Sequence, residues 1–228
     1  MCARFTLSAN PKQVATLFDL ASVPELPPRY NIAPSQPIPA VRLNDSGERE
    51  FAFLKWGLVP SSATDESIGY KMVNARAETV ATKPSFREAF RRRRCLIPAD
   101  GFYEWLAEGN RKKPYYFHRP DRKPFAFAGL WERKDRNGDG PLETCTIITT
   151  TANKLAEPYH DRMPVIIPQK LISRWLSLKT DATLLSELLT PAPDDFLSVD
   201  PVSTIVNSPK VDDPRCIEAV NSTDLFGN

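Results

Sequence analysis

The second residue of this chain is a cysteine, and its position gives it a chemistry that an internal cysteine lacks. Removal of Met1 would expose Cys2 with a free α-amine and a free thiol. The amine has a pKa of about 8 and the thiol one of about 8.5, so both keep a reactive fraction at neutral pH. Together they capture aldehydes, because the amine forms a Schiff base and the thiol closes it into a five-membered thiazolidine. The plain alternative is a cysteine that follows the initiator by chance.

A glutamate and a histidine are the next residues that suit proton transfer. Glu104 lies in the run Gly101-Phe102-Tyr103-Glu104-Trp105, where apolar neighbours would desolvate the carboxyl and raise its pKa. Such a carboxyl serves as acid and base at neutral pH, although a glutamate on the outward face of a half-buried strand is commoner. His160 lies in a polar turn before the apolar stretch Val165-Ile166-Ile167. Its ordinary pKa of about 6.5 suits catalysis, and a surface or structural position explains it equally well.

Several basic residues are candidates for phosphate binding. Asn74 and Arg76 lie two residues apart, which puts both on one side of an extended backbone. Arg76 could hold a phosphate while Asn74 orients a nucleophile, but a salt bridge or a turn explains the pair as well. Arg87 and the run Arg91–Arg94 are weaker candidates, because basic residues also favour the solvated C-terminal end of a helix. His118, at the end of a predicted strand, is expected to have a surface role.

The chain has the size and composition of one soluble domain. Its 228 residues are 41% apolar, and its formal net charge is +2, which hides the local clusters of basic residues. Four cysteines without C-x-x-C spacing argue against a zinc knuckle and against a disulfide framework. No apolar run approaches the roughly 18 residues of a membrane span, and no signal peptide is evident. A soluble cytoplasmic protein is therefore expected.

Short elements separated by turns must position these residues. With 22 prolines against 9 glycines, the chain is broken into strands and a few helices. Asn10 before Pro11 predicts the N-cap of a helix that ends near Leu20, and the proline-rich segment 24–39 is expected to be extended coil. Further helices are predicted near 85–91, 168–177 and 182–189. Strands are predicted near 38–43, 50–57, 94–98, 101–107, 114–118, 125–131, 143–150 and 164–167.

Two polar segments are predicted to lie outside these elements. The sequence Asn137-Gly138-Asp139-Gly140 is typical of a hairpin turn between two strands. Residues 61–69 are expected to form a mobile loop beside Trp56.

Seven motifs occur in one order along the chain, and together they resemble the SRAP family, the SOS-response-associated peptidase-like proteins. The resemblance runs from Met1 to about Cys216, with one departure: Ala3 stands where the family usually has glycine, next to Cys2. The motifs are Met1-Cys2-Ala3-Arg4-Phe5, Arg29-Tyr30-Asn31-Ile32-Ala33-Pro34, Trp56-Gly57-Leu58-Val59-Pro60, Asn74-Ala75-Arg76-Ala77-Glu78-Thr79, the segment 94–105, Ala128-Gly129-Leu130-Trp131-Glu132 and His160-Asp161-Arg162-Met163-Pro164.

The resemblance implies a protein that crosslinks itself to abasic sites in single-stranded DNA and shields them. Carried over by motif, Cys2 would be the nucleophile, Asn74 its positioning partner and Glu104 a proton-transfer group. His160 would assist opening of the sugar ring and reversal of the crosslink. The ring must open because an abasic deoxyribose is mostly a closed hemiacetal, so an acid and a base are needed to free the aldehyde.

The same resemblance implies a DNA-binding surface and a fold. Arg4, Arg76 and Arg162 would bind phosphates, and Pro39 and aromatic residues after Trp56 would wedge against flanking bases. The loop 61–69 has no tryptophan, and Tyr70 alone is aromatic there, so weaker stacking is expected.

The fold class expected is α+β, a single domain over 1–220 with a strongly curved, barrel-like, mainly antiparallel sheet and peripheral helices. Residues 221–228 are expected to be a disordered tail. No cofactor and no metal are implied, and a monomer that associates with the nucleoid on DNA is expected.

Two other functions remain open at the level of sequence. One is a thiol peptidase or autopeptidase with Cys2 as nucleophile, His160 as base and Glu104 as the orienting group. The other is a module that binds single-stranded DNA without a covalent bond, for which Cys2 would be dispensable.

Overall fold

The computed structural model describes residues 2–109, 111–136 and 138–220. Four helices and thirteen strands make up this part of the chain, together with four short 3-10 helices at Glu66–Lys71, Gln169–Leu171, Thr204–Asn207 and Pro214–Ile217. The helices are α1 (Pro11–Phe18), α2 (Pro84–Arg92), α3 (Ile172–Leu176) and α4 (Ala182–Glu187). The strands are β1 (Phe5–Leu7), β2 (Arg29–Ile32), β3 (Pro37–Leu43), β4 (Arg49–Trp56), β5 (Asn74–Arg76), β6 (Arg94–Ala99), β7 (Gly101–Glu108), β8 (Arg111–His118), β9 (Phe125–Lys134), β10 (Leu142–Thr151), β11 (Arg162–Pro164), β12 (Ile166–Ile167) and β13 (Ser198–Pro201).

Five strands close into a barrel. They follow the order β10-β4-β3-β6-β9, and β9 returns to pair with β10. All of these pairings are antiparallel except β10 with β4. Strands β5 and β11 extend the sheet along β10, with β5 parallel and β11 antiparallel to it. The expected α+β domain with a barrel-like, mainly antiparallel sheet is thus confirmed.

A second, antiparallel sheet has the order β13-β8-β7-β1-β2 and packs against the barrel. Aromatic rings join the two layers. The ring of Phe5 on β1 lies 5.2 Å from that of Trp56 and 5.9 Å from that of Phe127, both edge-on. Phe102 on β7 reaches the same Phe127 ring at 6.1 Å. Because Phe5 is fully buried here, the segment just before β1 is held close to the core.

An ionic network centred on a side chain of β3 connects neighbouring strands of the barrel. Arg42 donates to Glu50 on β4 at 2.6 Å and to Glu143 on β10 at 2.8 Å. Its guanidinium carbon also lies 4.1 Å from the ring centroid of Trp131 on β9. A planar guanidinium can satisfy two carboxylates and an aromatic face at once, so one side chain connects four strands.

The helices and the main hairpin follow the prediction closely. Asn10 accepts a hydrogen bond from the Gln13 backbone, and Gln13 returns one, which forms a capping box at the start of α1. Strands β9 and β10 pair antiparallel from Leu142 opposite Lys134, so the predicted hairpin is confirmed, although Asn137 lies outside the described residues. The predicted helix over 168–177 is divided into a 3-10 turn and α3.

The proline-rich segment was wrongly predicted to be coil throughout. Arg29–Ile32 forms β2 and pairs with β1, and Pro37 begins β3. Pro37 and Pro39 fit in a strand because β6 pairs with β3 only at Val41 and Arg42, which leaves the earlier part of β3 an edge on that side.

The prediction of one strand over 164–167 was also inexact, since the chain changes partner at Val165. Residues before it pair with β10 as β11, and residues after it pair with β9 as β12. The predicted loop 61–69 contains the start of a 3-10 helix, which Asp65 caps by accepting from the Ser67 backbone.

Two predictions about basic residues are wrong. His118 is buried, not on the surface, because β13 pairs with β8 and covers it. Its Nε2 lies 2.8 Å from an Asp200 carboxylate oxygen. Arg94 is also buried and donates to the backbone carbonyls of Phe90, Arg91, Trp175 and Ser177, so it is not available to a phosphate.

The predicted tail 221–228 lies outside the described residues. Within the described chain, none of the helices is both long enough and apolar enough to cross a membrane.

Candidate active site

Cys2 lies immediately before β1 and is fully buried. Its thiol is directed at the Arg4 carbonyl oxygen, 3.9 Å away. Its own carbonyl oxygen accepts a hydrogen bond of 2.8 Å from the Asn74 amide. Burial raises the pKa of the Cys2 thiol far above its ordinary range, because a thiolate would be desolvated there. The residue is therefore a neutral thiol whose backbone position is fixed by Asn74.

Asn74 reaches Cys2 because β5 pairs in parallel with β10, with Asn74 opposite Ile147. The amide nitrogen of Asn74 donates to the Cys2 carbonyl, whereas Asn74 Oδ1 is buried and has no hydrogen-bond partner among the described residues. A buried acceptor without a donor costs free energy, about 1–3 kcal/mol. An amine or hydroxyl brought to this position would satisfy it.

Glu104 is buried in the middle of β7, and burial raises its pKa to about 7. Its strand neighbours explain the burial, since Phe102 and Tyr103 both belong to the core. At neutral pH this carboxyl is about half protonated, so the same group can donate a proton in one step and accept one in the next. The expectation of a desolvated acid within an aromatic strand is confirmed.

His160 lies on the turn that leads into β11, with about a third of its side chain exposed. Its Nδ1 accepts from the Arg162 backbone at 2.9 Å and lies 2.7 Å from an Asp161 carboxylate oxygen. Burial lowers the pKa of His160, so the ring is mostly neutral at pH 7. In the neutral ring, acceptance at Nδ1 leaves the proton on Nε2.

Glu104 and His160 line one cleft of about 430 Å³, and Ala3 and Arg4 line it as well. Cys2 precedes these two residues and does not itself line the cleft, but the Glu104 carboxylate lies near enough to contribute to the raised pKa of its thiol. The structure thus brings together all four residues that the motifs single out for chemistry: Cys2, Asn74, Glu104 and His160. No group of three or more His, Cys, Asp or Glu in the described ranges is arranged to hold a metal ion.

The three arginines expected to bind phosphate are held differently. Arg76 is exposed at the end of β5. Arg162 is mostly buried and donates to Glu78 Oε1 at 2.5 Å and to the Thr149 carbonyl at 2.6 Å. Arg4 is half-buried, and its Nη1 donates to Asn31 Oδ1 at 2.6 Å and to a distant backbone carbonyl. Only Arg76 therefore presents its guanidinium to solvent without rearrangement.

Pro39 does not lie where a wedge against bases requires it. Its ring is buried in β3 opposite Phe53, so the expectation that it contacts DNA does not fit this structure. Pro34, on the turn after β2, is partly exposed, and Tyr70 is 67% exposed. Sequence alone did not show that Pro39 lies within a strand and Pro34 on a turn.

Two supporting residues were present in the motifs but had received no role. Asn31 is fully buried, and its amide nitrogen donates to the carbonyls of Val206, Ser208 and Val211 while its oxygen accepts from Arg4. Glu78 holds the Arg162 guanidinium. Both are polar residues inside a motif to which no chemical step was assigned. That position was the sequence feature that could have identified them as supporting residues.

A closed five-stranded barrel, a second sheet and a cleft lined by the N-terminal segment define a distinct class of α+β protein. The family model described as SOS response associated peptidase (SRAP) matches residues 1–209, and the chain belongs to this family.

Relatives of known name share most of its length. The abasic site processing protein YoqW of Bacillus subtilis is 45% identical over 224 residues, which is 96% of this chain and all of that protein. The abasic site processing protein HMCES of Xenopus tropicalis is 32% identical and covers 88% of this chain, which spans 68% of that protein. A solved structure from Bacteroides thetaiotaomicron superimposes with a TM-score of 0.85 at 28% identity, over 96% of this chain and all of that one.

Proposed function

We propose that this protein processes abasic sites by binding single-stranded DNA and joining Cys2 covalently to the abasic sugar, after Met1 is removed. The names of its relatives support abasic-site processing. The observation that carries the covalent step is the placement of a carboxyl of pKa about 7 close to the Cys2 thiol, in a cleft lined by the two residues that follow Cys2. Capture of an aldehyde needs that combination of nucleophile and proton shuttle.

The proposed reaction begins with ring opening. The closed sugar opens when its ring oxygen gains a proton and its C1′ hydroxyl loses one, and Glu104 and His160 supply these transfers. The Cys2 amine then attacks the aldehyde carbon, and one water leaves as the Schiff base forms. The thiol adds to the imine carbon, forming the C–S bond, while its proton moves to the nitrogen. The product is a thiazolidine whose mass is that of protein plus DNA minus water.

The order of these steps follows from the protonation states. Burial keeps the Cys2 thiol neutral, so the amine is the first nucleophile and the thiol reacts only once an imine stands beside it. The Asn74 side chain fixes the backbone of Cys2, and its Oδ1 is suited to accept a hydrogen from the amine. The burial of Cys2 also limits the access of water to an imine formed there.

Arg76 is the proposed first contact for a phosphate, and Arg4, which lines the cleft, and Arg162 are proposed to join it. The sugar without a base enters the cleft at no unstacking cost, which favours abasic over intact nucleotides. Pro39 is left out of the proposed DNA surface because it is buried.

A thiol peptidase is disfavoured by the state of Cys2. Such enzymes use a thiolate with a lowered pKa beside an imidazolium. Here the thiol is directed at the Arg4 carbonyl, and its pKa is raised.

The test is intact-protein mass spectrometry after untagged protein is incubated with a single-stranded oligonucleotide that carries one abasic site. The expected product is protein lacking Met1 plus DNA minus one water. Cys2→Ala keeps an α-amine but cannot close the thiazolidine, so it should give no adduct that survives prolonged incubation in water, while Cys216→Ala, which removes another buried thiol far along the chain, should react normally. A lasting adduct on Cys2→Ala, or none on the parent chain, would contradict the proposal.

A further inference from the structure

A second cavity, of about 510 Å³, lies beside the exposed side of α1. Its volume falls among pockets that hold whole small molecules, about 300–1,000 Å³. Among the described residues, none lines both this cavity and the cleft beside Cys2. Lys112, near the start of β8, lines the cleft, whereas Arg119, just past the end of β8, lines the cavity. A strand rises about 3.3 Å per residue, so about 20 Å separates the two sites.

Much of the cavity lining is apolar. Phe125 and Ile167 are buried core residues, and the partly buried ring of Phe196 lies 6.2 Å from that of Phe125 in an edge-on arrangement. Aromatic rings pack favourably against further flat apolar groups, so this wall suits a ligand with an aromatic body. The other apolar residues that line the cavity are Leu17, Pro124 and Pro168.

The charged residues that line the cavity within the described chain are all basic: Lys12, Arg119 and Lys123. Arg119 is fixed, because it donates to the Asp121 carboxylate at 2.7 and 2.8 Å and its guanidinium carbon lies 5.3 Å from the centroid of the Phe196 ring. Asp121 also lies 3.6 Å from Lys123 and offsets part of the positive charge. Lys12 is in the first turn of α1, where the helix dipole adds to the positive potential. The lining therefore keeps a net positive charge.

We infer that this cavity is a binding site for a small amphipathic anion, a molecule with a flat aromatic body and one carboxylate, sulfonate or phosphate group. The body packs against Phe196 and its apolar neighbours, which removes apolar surface from water. The anionic group meets the ammonium groups of Lys12 and Lys123, both of which are exposed. The inference does not depend on the proposed function, because the cavity and the cleft are lined by different residues.

The experiment uses two fluorescent probes, 1-anilinonaphthalene-8-sulfonate and N-phenyl-1-naphthylamine, which has the same aromatic body without the sulfonate. Both become brighter in apolar surroundings, so a titration gives a dissociation constant for each. The parent chain should bind one molecule of the sulfonate saturably, and this affinity should fall when salt is raised above about 0.5 M, where charge interactions are screened. A parent chain that shows no saturable binding of the sulfonate would overturn the inference.

Charge reversal at exposed positions tests the anionic half of the site without disturbing the core. Lys12→Glu with Lys123→Glu should weaken sulfonate binding about tenfold and leave binding of the neutral amine within about twofold. The matched control is Lys112→Glu with Lys210→Glu, which makes the same change in net charge at exposed positions outside the cavity. The control should bind both probes as the parent does. Equal sulfonate affinities for the two double variants would overturn the inference.

A filled cavity tests the apolar half. Thr16 lines the cavity from an exposed position of α1, so Thr16→Trp should abolish saturable binding of both probes, while Thr16→Ala should bind them as the parent does. Circular dichroism and a urea midpoint verify that both variants are folded. Unchanged binding on Thr16→Trp would contradict the inference.

Two further measurements separate this site from other occupants and from the proposed function. Sedimentation velocity should give the same species for the parent and for Thr16→Trp. A parent dimer that Thr16→Trp dissociates would mean that a second copy of the chain covers the cavity, which would overturn the inference. Thr16→Trp should form the adduct with abasic DNA at the parent rate, because Thr16 lies outside the cleft. Loss of that adduct on Thr16→Trp would contradict the independence of the two sites.

Discussion

At neutral pH the Glu104 carboxyl is partly protonated, whereas carboxyls on a protein surface are almost fully ionised. Its burial on β7 raises the pKa to about 7, and His160 in the same cleft stays mostly neutral because burial lowers its pKa. The cleft therefore contains an acid that is half ionised and an uncharged base at one pH. This pairing suits a hemiacetal, which must gain and lose a proton to open.

Replacing Glu104 with Gln should slow crosslinking by about 100-fold, because glutamine can neither donate nor accept the proton. The parent rate should change its dependence on pH near 7, and the variant should lose this inflection. Single-turnover rates between pH 5 and 9 provide the measurement.

Glu108→Gln serves as the matched control for that substitution. Glu108 lies four residues along the same strand, where it is exposed and pairs with Lys113. Its replacement should leave the rate and the inflection unchanged. If both variants behave alike, Glu104 has no special part in the chemistry.

The raised pKa of Glu104 also lowers the free energy of unfolding at high pH. A carboxyl whose folded-state pKa rises from 4.5 to about 7 holds its proton more tightly in the native state, so stability falls as pH rises from 4.5 through 7. The full cost above that range is about 3 kcal/mol. Glu104→Gln should therefore unfold at a higher temperature than the parent at pH 8 and at nearly the same temperature at pH 4. An unchanged midpoint at pH 8 would refute the raised pKa.

At the level of elements, the helices and the longer strands, including β7 with Glu104, were predictable, while three short strands were not. β1, β5 and β13 have three or four residues each, too few for an alternating pattern to emerge. They are strands because the barrel and the second sheet offer them partners. The residues Cys2, Asn74 and Glu104 could be singled out from motifs, but their meeting depends on β5 following β10 in parallel, which local sequence does not encode.

The edge strand β13 shows how such a pairing also brings a carboxylate to a buried histidine. Asp200 holds the buried His118 at 2.8 Å and the exposed Arg122 at 3.0 Å. Asp200→Ala should lower the free energy of unfolding by about 1–3 kcal/mol, because it leaves a buried imidazole nitrogen without its partner. Urea denaturation measures this loss. Asp195→Ala, on the exposed segment before β13, should change it little.

Glu78, just after β5, binds the Arg162 guanidinium and would compete with a phosphate for it in the proposed DNA complex. The Arg162 hydrogen bond lowers the pKa of Glu78, so the carboxylate is charged at neutral pH and repels a phosphate that approaches the rim. Glu78→Gln should tighten binding of a tetrahydrofuran oligonucleotide about threefold at low salt, measured by fluorescence anisotropy. The gain should vanish above about 0.5 M salt, where such interactions are screened. Weaker binding at low salt would mean that Glu78 chiefly holds Arg162 in place.

On the scale of the whole molecule, charge is distributed unevenly although the net charge is only +2. Binding of single-stranded DNA through three or four basic side chains should give a slope of log affinity against log salt between about −2 and −3. A titration between 50 and 300 mM salt tests this range. A slope near zero would show that phosphate contacts contribute little, and the proposed DNA surface would have to be abandoned.

The hydrogen bond from Arg4 to the Val206 carbonyl joins residues 202 positions apart, and Asn31 binds the same region. The segment that carries Cys2 is thus held in place by a stretch that lies far along the sequence. A chain truncated before Val206 would lack the carbonyl that orients Arg4 beside the cleft. The position of Cys2 is therefore a property of the folded chain as a whole, because it depends on contacts that close only when the residues around Val206 have folded.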